Sequence, residues 1–544
     1  MRFSSFSFLF LFTSVLAVAQ QHPRDGEIYD ADTLAWWHTT EALSNDGMEG
    51  RDTGSAAYQR AAEYVAARFK AAGLKPAGEN GSYFQAVPMH EVAVEPAGTS
   101  FVVERAGGNL KLDFLQEITV AASEGLLREG TGGLTFRGYC GKDAMANVGG
   151  KIVVCFGTQR AGLPNGGERV ANARVGGALG LINVDDPYFT IEPPRWPYAY
   201  SRSVTLRTEH ETVKAEAMLP AMRLSAEAFA KLLAGSGQDA AAILKTGGAK
   251  EALPSFEIPG KLRVTLRLKS RDLSSPNVLA VLPGSDPKLR DEYVVVGAHL
   301  DGYGFGTPVH GDHLYNGTLD DAAYVALLIQ MADDLHAGAV LHGGLHEVSY
   351  VRGGSGDVVD KGITLAAPKR SILFCAFTGE EKGLLGSNWF AGHPTVPVAE
   401  LAADVNLDQL RPLFPLKILT AEAVNDTTLG ETAREVGKGM GIEIREDREP
   451  ERSLLRRADQ YPFLRIHVPA ISFIFGYDPG TDAEKRYREW YEVRYHRPQD
   501  DVTQPMDFTA AAKFDVFFYR LVETIANAPV RPSILPESQF AVKK

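Results

Sequence analysis

The stretch that most limits what this chain can become runs from Tyr293 to Ala326, YVVVGAHLDGYGFGTPVHGDHLYNGTLDDAAYVA. Tyr293 to Val296 is a short apolar run with charge before it and Gly297 after it, the pattern of a strand buried on both faces. His299 and Asp301 stand where that strand stops. A Gly-rich loop, Leu319-Asp320-Asp321 and an apolar run with helical spacing follow. In open α/β sheets, ligands bind where strands end and helices begin.

The same alternation recurs. SSPNVLAVLPG, RSILFCAFTG, AADVNLDQL and PAISFIFG are further near-continuous apolar strands separated by helical segments. Together they predict an α/β fold, with a mostly parallel mixed sheet covered by helices on both faces. Upstream, Ala31 to Leu43 reads as a short amphipathic helix. Ser55 is placed to cap a second helix that Gly73 stops. From about Glu95 to Gly260 the texture changes to short β-like runs with Gly-rich breaks and no cluster of ligand-type residues. The expected organisation is therefore residues 20–95, an inserted smaller β-rich module at 96–260, and the main domain at 261–544. A polar, Gly-rich segment at 338–367 is expected to be a surface excursion near the site.

The first 19 residues, ending in Ala17-Val18-Ala19, have the apolar run and small-x-small close of a cleaved export signal. This predicts a mature chain starting near Gln20, in the periplasm or outside the cell. No later run reaches the ~18 apolar residues of a membrane span. A net charge of −12 and the lack of a basic run disfavour a nucleic-acid partner. Nothing in the sequence sets the oligomeric state. Of the three cysteines, Cys155 and Cys375 lie inside apolar runs and are expected as buried thiols, with a Cys140–Cys155 bridge as the alternative.

Strand ends and the loops after them offer His299, Asp301, Asp320, Glu380, Glu381, Asp408 and His496. Carboxylates and imidazoles without a thiolate suit Zn²⁺ or a similar ion. Five such ligands could hold two metals if one carboxylate bridges them. A further carboxylate could then take the proton from a metal-activated water. The adjacent Glu380 and Glu381 fit those two jobs, and their spacing does not say which does which. Each residue alone has a plainer reading. His299 could be a core histidine, Glu380-Glu381 an exposed helix start, and Asp320-Asp321 a helix cap.

GAHLD, NGTLDDAA, FTGEEKGLLGS, NLD and YHRPQDD, in this order, resemble the co-catalytic di-zinc aminopeptidase family, which includes glutamate carboxypeptidases. The resemblance covers roughly residues 27–95 and 261–530, and the module between resembles a protease-associated domain. It implies two Zn²⁺ per chain and a peptide substrate. It assigns His299, Asp320, Glu381, Asp408 and His496 as metal ligands, with Asp320 bridging. Glu380 would be the general base, Asp301 would orient the His299 ring, and Tyr495 would donate to the oxyanion. Two departures stand out. Tyr324 replaces a small residue at the helix opening, where its bulk could narrow the site. Gln460 replaces a histidine beside Asp459, which is not counted as a ligand. His310, His313 and His467 are expected to be structural, and Arg456 and Arg457 to form surface ion pairs, although one of them could bind a substrate carboxylate. The resemblance implies an exported aminopeptidase. A carboxypeptidase or dipeptidase, a glutaminyl cyclase-like enzyme and a catalytically silent binding protein are the alternatives.

Overall fold

The computed structural model describes residues 22–542 except 122, 158–159, 208–217, 342–344, 349–362 and 409. The segment read as an export signal lies outside the described residues. The three central strands, Leu401–Asn406, Tyr293–His299 and Ser371–Phe377, run parallel and side by side, and every residue of theirs but Tyr293 is buried. Ala470–Phe475 extends the parallel set beyond Leu401–Asn406, and Ser255–Leu282 pairs antiparallel on the other side.

Period-two alternation sorts the side chains of these strands into two cores. Val294, Val296, Ala298, Ile372, Phe374 and Ala376 pack with helices Ala31–Ser44, Ala56–Ala71, Ala323–Leu341 and Phe508–Asn527. Val295, Leu373, Cys375 and Phe377 face the opposite way, onto Phe390, Phe463 and Leu464. Both faces are therefore covered, as the apolar runs predict. The second upstream helix starts at its expected cap, Ser55, and the first is capped by Asp30. Asp30 accepts from Thr33 N–H and Ser55 from Tyr58 N–H, and Gly73 takes φ +72° just beyond the second helix.

The inserted module is joined by sheet rather than by loops. Strands Phe84–Glu104 and Ser255–Leu282, 21 and 28 residues long, pair antiparallel from Val278↔Phe84 to Lys261↔Glu104. The boundaries predicted at 95 and 260 fall inside these two strands. The far end of Ser255–Leu282 pairs with Glu129–Arg137, which begins the module's own sheet through Ile152–Phe156 and Gly180–Val184.

Two expectations change. Cys155 is not a free thiol but is bonded to Cys140. Cys140 follows the end of one strand in a turn at φ +61°, which brings its Cα within 5.6 Å of that of Cys155 on the adjacent parallel strand. Cys375 is free and buried, as expected. Of the 338–367 excursion, residues 342–344 and 349–362, and with them the expected place near the site, lie outside the described residues; the described part includes the hairpin Leu345–Val348 with Ile363–Ala366. Ala366 N–H donates to Glu523, and five residues later Ser371 opens the strand that carries Phe377 to its other end, about 20 Å away at ~3.3 Å per residue. Lastly, Arg457 does not form a surface pair, whereas Arg456 is exposed.

Candidate metal centre

Four of the five predicted ligands sit at the carboxyl end of a strand or in the loop that follows it, and His496 lies just past the helix Asp482–Val493. His299 ends its strand, and the Asp320 turn follows 21 residues later. Gly317 makes that turn possible. Its φ is +61°, and a Cβ there would meet the Asp320 carbonyl at 2.5 Å. Arg51, fully buried, ties the loop's ends together by donating to the carbonyls of Leu300 (2.9 Å), Asn316 (2.8 Å) and Gly317 (2.8 Å). The Asp500 carboxylate fixes the turn from the other side, accepting from the N–H groups of Leu319 and Asp320 at 3.0 Å each.

The result is two groups of ligand atoms that share one carboxylate. His299, Asp320 and Asp408 form one, Asp320, Glu381 and His496 the other, with the ligand atoms of each within 4.8 Å of one another. His299 Nε2 lies 3.3 Å from Asp320 Oδ1, and His496 Nε2 lies 3.3 Å from both Asp320 Oδ2 and Glu381 Oε2. His299 Nε2, Asp320 Oδ2 and Glu381 Oε1 are buried and hydrogen-bond to no described residue. Buried polar atoms normally have partners. Oxygen and imidazole donors converging without them are what a divalent cation such as zinc fits.

The electrostatics agree. Burial alone would pull His299 down, but Asp321 and Glu380 hold it well above the usual histidine range. Burial pushes Glu380 and Glu381 well above ordinary glutamates and Asp321 well above an ordinary aspartate. Asp320 goes the other way. Despite its burial, His299, His496 and Arg411 hold it well below the carboxylate range.

Asp301 acts in two places. Its backbone carbonyl is 3.1 Å from His299 Nδ1 and its carboxylate 3.7 Å away. The carboxylate itself accepts from Thr53 Oγ1 (2.7 Å) and from the Glu380 N–H (3.0 Å). It therefore fixes Glu380 as well as the imidazole. Glu380 Oε2 stands 3.8 Å from His299 Nε2. Tyr495 is buried with its ring 3.8 Å from that of His496, and its hydroxyl accepts from Arg457 Nη2 at 3.2 Å. Asp321 is more than a cap, since its Oδ2 accepts from His299 N–H at 3.2 Å. Tyr324 is absorbed in the core beneath the helix start. Gln460 donates to the Leu455 carbonyl, and Asp459 accepts from Ser387. His310 is exposed in a turn, His313 is exposed on the hairpin strand Asp312–Tyr315, and His467 meets the Phe540 carbonyl.

Four functional neighbours escape sequence reasoning. Tyr303, two residues past Asp301, puts its hydroxyl 3.0 Å from His496 Nδ1. Arg411, three past Asp408, is fully buried 3.7 Å from Asp320 Oδ2 and stacks over Trp490. Glu192 and Arg195 come from the inserted module. Arg457 donates to both Glu192 oxygens, at 2.8 and 2.7 Å, and the Arg195 guanidinium lies 4.5 Å from the Tyr495 ring centroid. Proximity in sequence could have flagged the first two, but nothing in the sequence links the second pair to the site.

Comparison with known proteins agrees with this geometry. Over 291 residues, 47% of the chain, the sequence is 24% identical to a protein named "Probable zinc metalloprotease" from Pyrenophora tritici-repentis (strain Pt-1C-BFP). The match spans 58% of that relative's length. Among solved structures, an aminopeptidase from Aneurinibacillus sp. strain AM-1 superposes with a TM-score of 0.58 at 16% identity, covering 93% of this chain and 96% of that one. BSAP, a zinc aminopeptidase from Bacillus subtilis, gives 0.55 at 15%, covering 93% and 97%. A peptidase M28 precursor from Shewanella amazonensis SB2B gives 0.51 at 17%, covering 92% and 98%. These likenesses establish the fold along nearly the whole chain, inserted module included. Residues 277–520, which hold every predicted ligand, match Peptidase family M28.

Proposed function

We propose that the protein is an exported, zinc-dependent aminopeptidase that removes N-terminal residues from peptides. The observation that carries this is the pair of ligand groups sharing Asp320, with Glu380 beside them. His299, Asp320 and Asp408 would hold one zinc, and Asp320, Glu381 and His496 a second. Two zinc ions so held supply a lowered pKa for water and polarisation of the scissile carbonyl. The chain's own residues do the rest. Asp301, through the Glu380 N–H, keeps the Glu380 carboxylate beside His299, where it can take a proton from water and pass it to the leaving nitrogen. Tyr303 keeps the His496 ring oriented. The aminopeptidase names of the AM-1 and Bacillus subtilis structures support the choice within the family.

The test is metal content together with hydrolysis of aminoacyl-anilides and their N-blocked counterparts by the mature chain. About two zincs per chain and cleavage only of free α-amines are expected. Cleavage of N-blocked peptides bearing a free carboxylate would replace this reading with a carboxypeptidase. Turnover that survives exhaustive chelation would overturn the metalloenzyme reading altogether.

A further inference from the structure

The inserted module contributes charge to the wall of the metal centre. Its segment from Glu192 to Ala199 is fastened to the peptidase domain. Arg497, next to His496, donates to the carbonyls of Pro197 (2.6 Å) and Trp196 (3.1 Å), and Thr307 N–H donates to Ala199 (2.8 Å). Arg195 thereby stands over the Tyr495 ring, which itself packs on His496. Arg195, Tyr303 and His496 line one cavity of about 130 Å³. On its other side Arg195 lines a second, of about 510 Å³, with Glu192 and Arg457.

The charges there do not balance. Glu192 is nearly buried and faces three arginines: Arg457 at 2.7 Å, Arg195 at 3.6 Å and Arg452 at 3.8 Å. Arg452 also has Glu449 at 3.7 Å, but Glu449 is itself taken by Arg488. Arg457 spends its two nitrogens on Glu192 and the Tyr495 hydroxyl. Arg452 also leaves Nε and Nη2 without hydrogen bonds, but it lies over Tyr491 and does not line the cavity with His496. Arg160 does line it but pairs with Asp186 at 2.7 Å. Arg195 lines that cavity, its Nη1 is buried and makes no hydrogen bond among the described residues, and its contacts are the long ion pair and the aromatic face. A guanidinium held 4.5 Å over an aromatic ring, short of acceptors, suits a planar carboxylate, which it can meet with two parallel N–H donors.

We propose that Arg195 binds a carboxylate of the peptide substrate on the His496 side of the metal centre, so that the inserted module sets specificity. This rests on the peptidase reading above. The carboxylate can come from the substrate's chain terminus or from an acidic side chain, and three matched pairs of probes separate these sources. The pairs are Leu-Ala with Leu-Ala-amide, Leu-Asp-amide with Leu-Asn-amide, and Glu-anilide with Gln-anilide. Within at least one pair the charged member should be preferred in kcat/KM by about ten- to hundredfold, the weight of a charge-assisted contact. Arg195→Ala should abolish that ratio and Arg195→Lys should retain part of it. Using the ratio within each variant cancels any loss of folded enzyme. Hydrolysis of all six probes without preference, or a preference that persists in Arg195→Ala, would overturn the subsite and leave the peptidase reading intact. Hydrolysis of none of them by the zinc-loaded wild type would sink both.

Discussion

Replacing Tyr303 by Phe isolates one oxygen atom. His496 Nε2 faces Asp320 and Glu381 at 3.3 Å each, so an ion held by these three residues takes Nε2 and leaves the proton on Nδ1. The Tyr303 hydroxyl, 3.0 Å from Nδ1, is then the acceptor that fixes the ring. Phenylalanine keeps the packing, with ring centroids 4.7 Å from His496 and 5.5 Å from Tyr200, and removes only the acceptor. Leaving the buried N–H unmet costs about 1–3 kcal/mol. Removing the outer partner of a ligating histidine weakens metal binding by about 10–100-fold, which is the same scale. Competition against a chelator of known affinity should therefore show one of the two zincs bound that much more weakly, with the other unchanged. Activity should return at high zinc. Equal weakening of both sites, or no change in either, would refute the assignment of His496 to a second metal steadied by Tyr303.

Other outcomes follow from named contacts. Glu380→Gln should lower kcat by about 10²–10⁴-fold with metal content unchanged. Loss of a metal instead would make Glu380 a ligand. Replacing Cys140 and Cys155 by Ser removes a link across 15 residues and should cost about 3 kcal/mol, read by urea unfolding of the oxidised protein against the variant. Equal midpoints would mean that the bridge adds nothing. Burial raises Asp334 to about 7, while Tyr519 and Gln330 donate to it. The folded chain therefore keeps a proton that the unfolded chain releases near pH 4, so this carboxyl makes stability fall as pH rises from about 4 to about 7. The effect is at most ~4 kcal/mol. Asp334→Asn should flatten the dependence of Tm on pH across that window, and an unchanged slope would show that Asp334 is not its source.

The metal centre was legible because its parts are local. His299, Glu381 and Asp408 each end or follow an apolar strand, so those motifs carry both the strand and the candidate ligand, whereas His496 follows the polar helix Asp482–Val493. The sheet was legible for the same reason, since Val294, Val295 and Val296 need cover on both faces wherever the chain goes next. What stayed hidden depends on meetings that no local pattern records. Arg51 reaches Leu300 and Gly317 from about 250 residues away, and Glu192 meets Arg457 across 265. The 140–155 disulfide was visible only as an alternative, because its short spacing acquires a meaning once a turn has laid Cys140 against the neighbouring strand.

The way the module is attached gives those distant meetings their force. A module on two flexible linkers could carry Arg195 anywhere, and a contact with Tyr495 would be incidental. Here two paired strands of 21 and 28 residues run unbroken from the catalytic sheet into the module. Side chains clamp the seam as well. Arg202 pairs with Asp52, and Lys382, directly after Glu381, meets the Tyr200 hydroxyl at 2.5 Å. A displacement of the module would thus break sheet hydrogen bonds and part-buried polar contacts together, at several kcal/mol. The wall beside His496 is therefore fixed, and it holds Arg195, whose Nη1 makes no hydrogen bond among the described residues, at a set place on the cavity that Tyr303 and His496 also line.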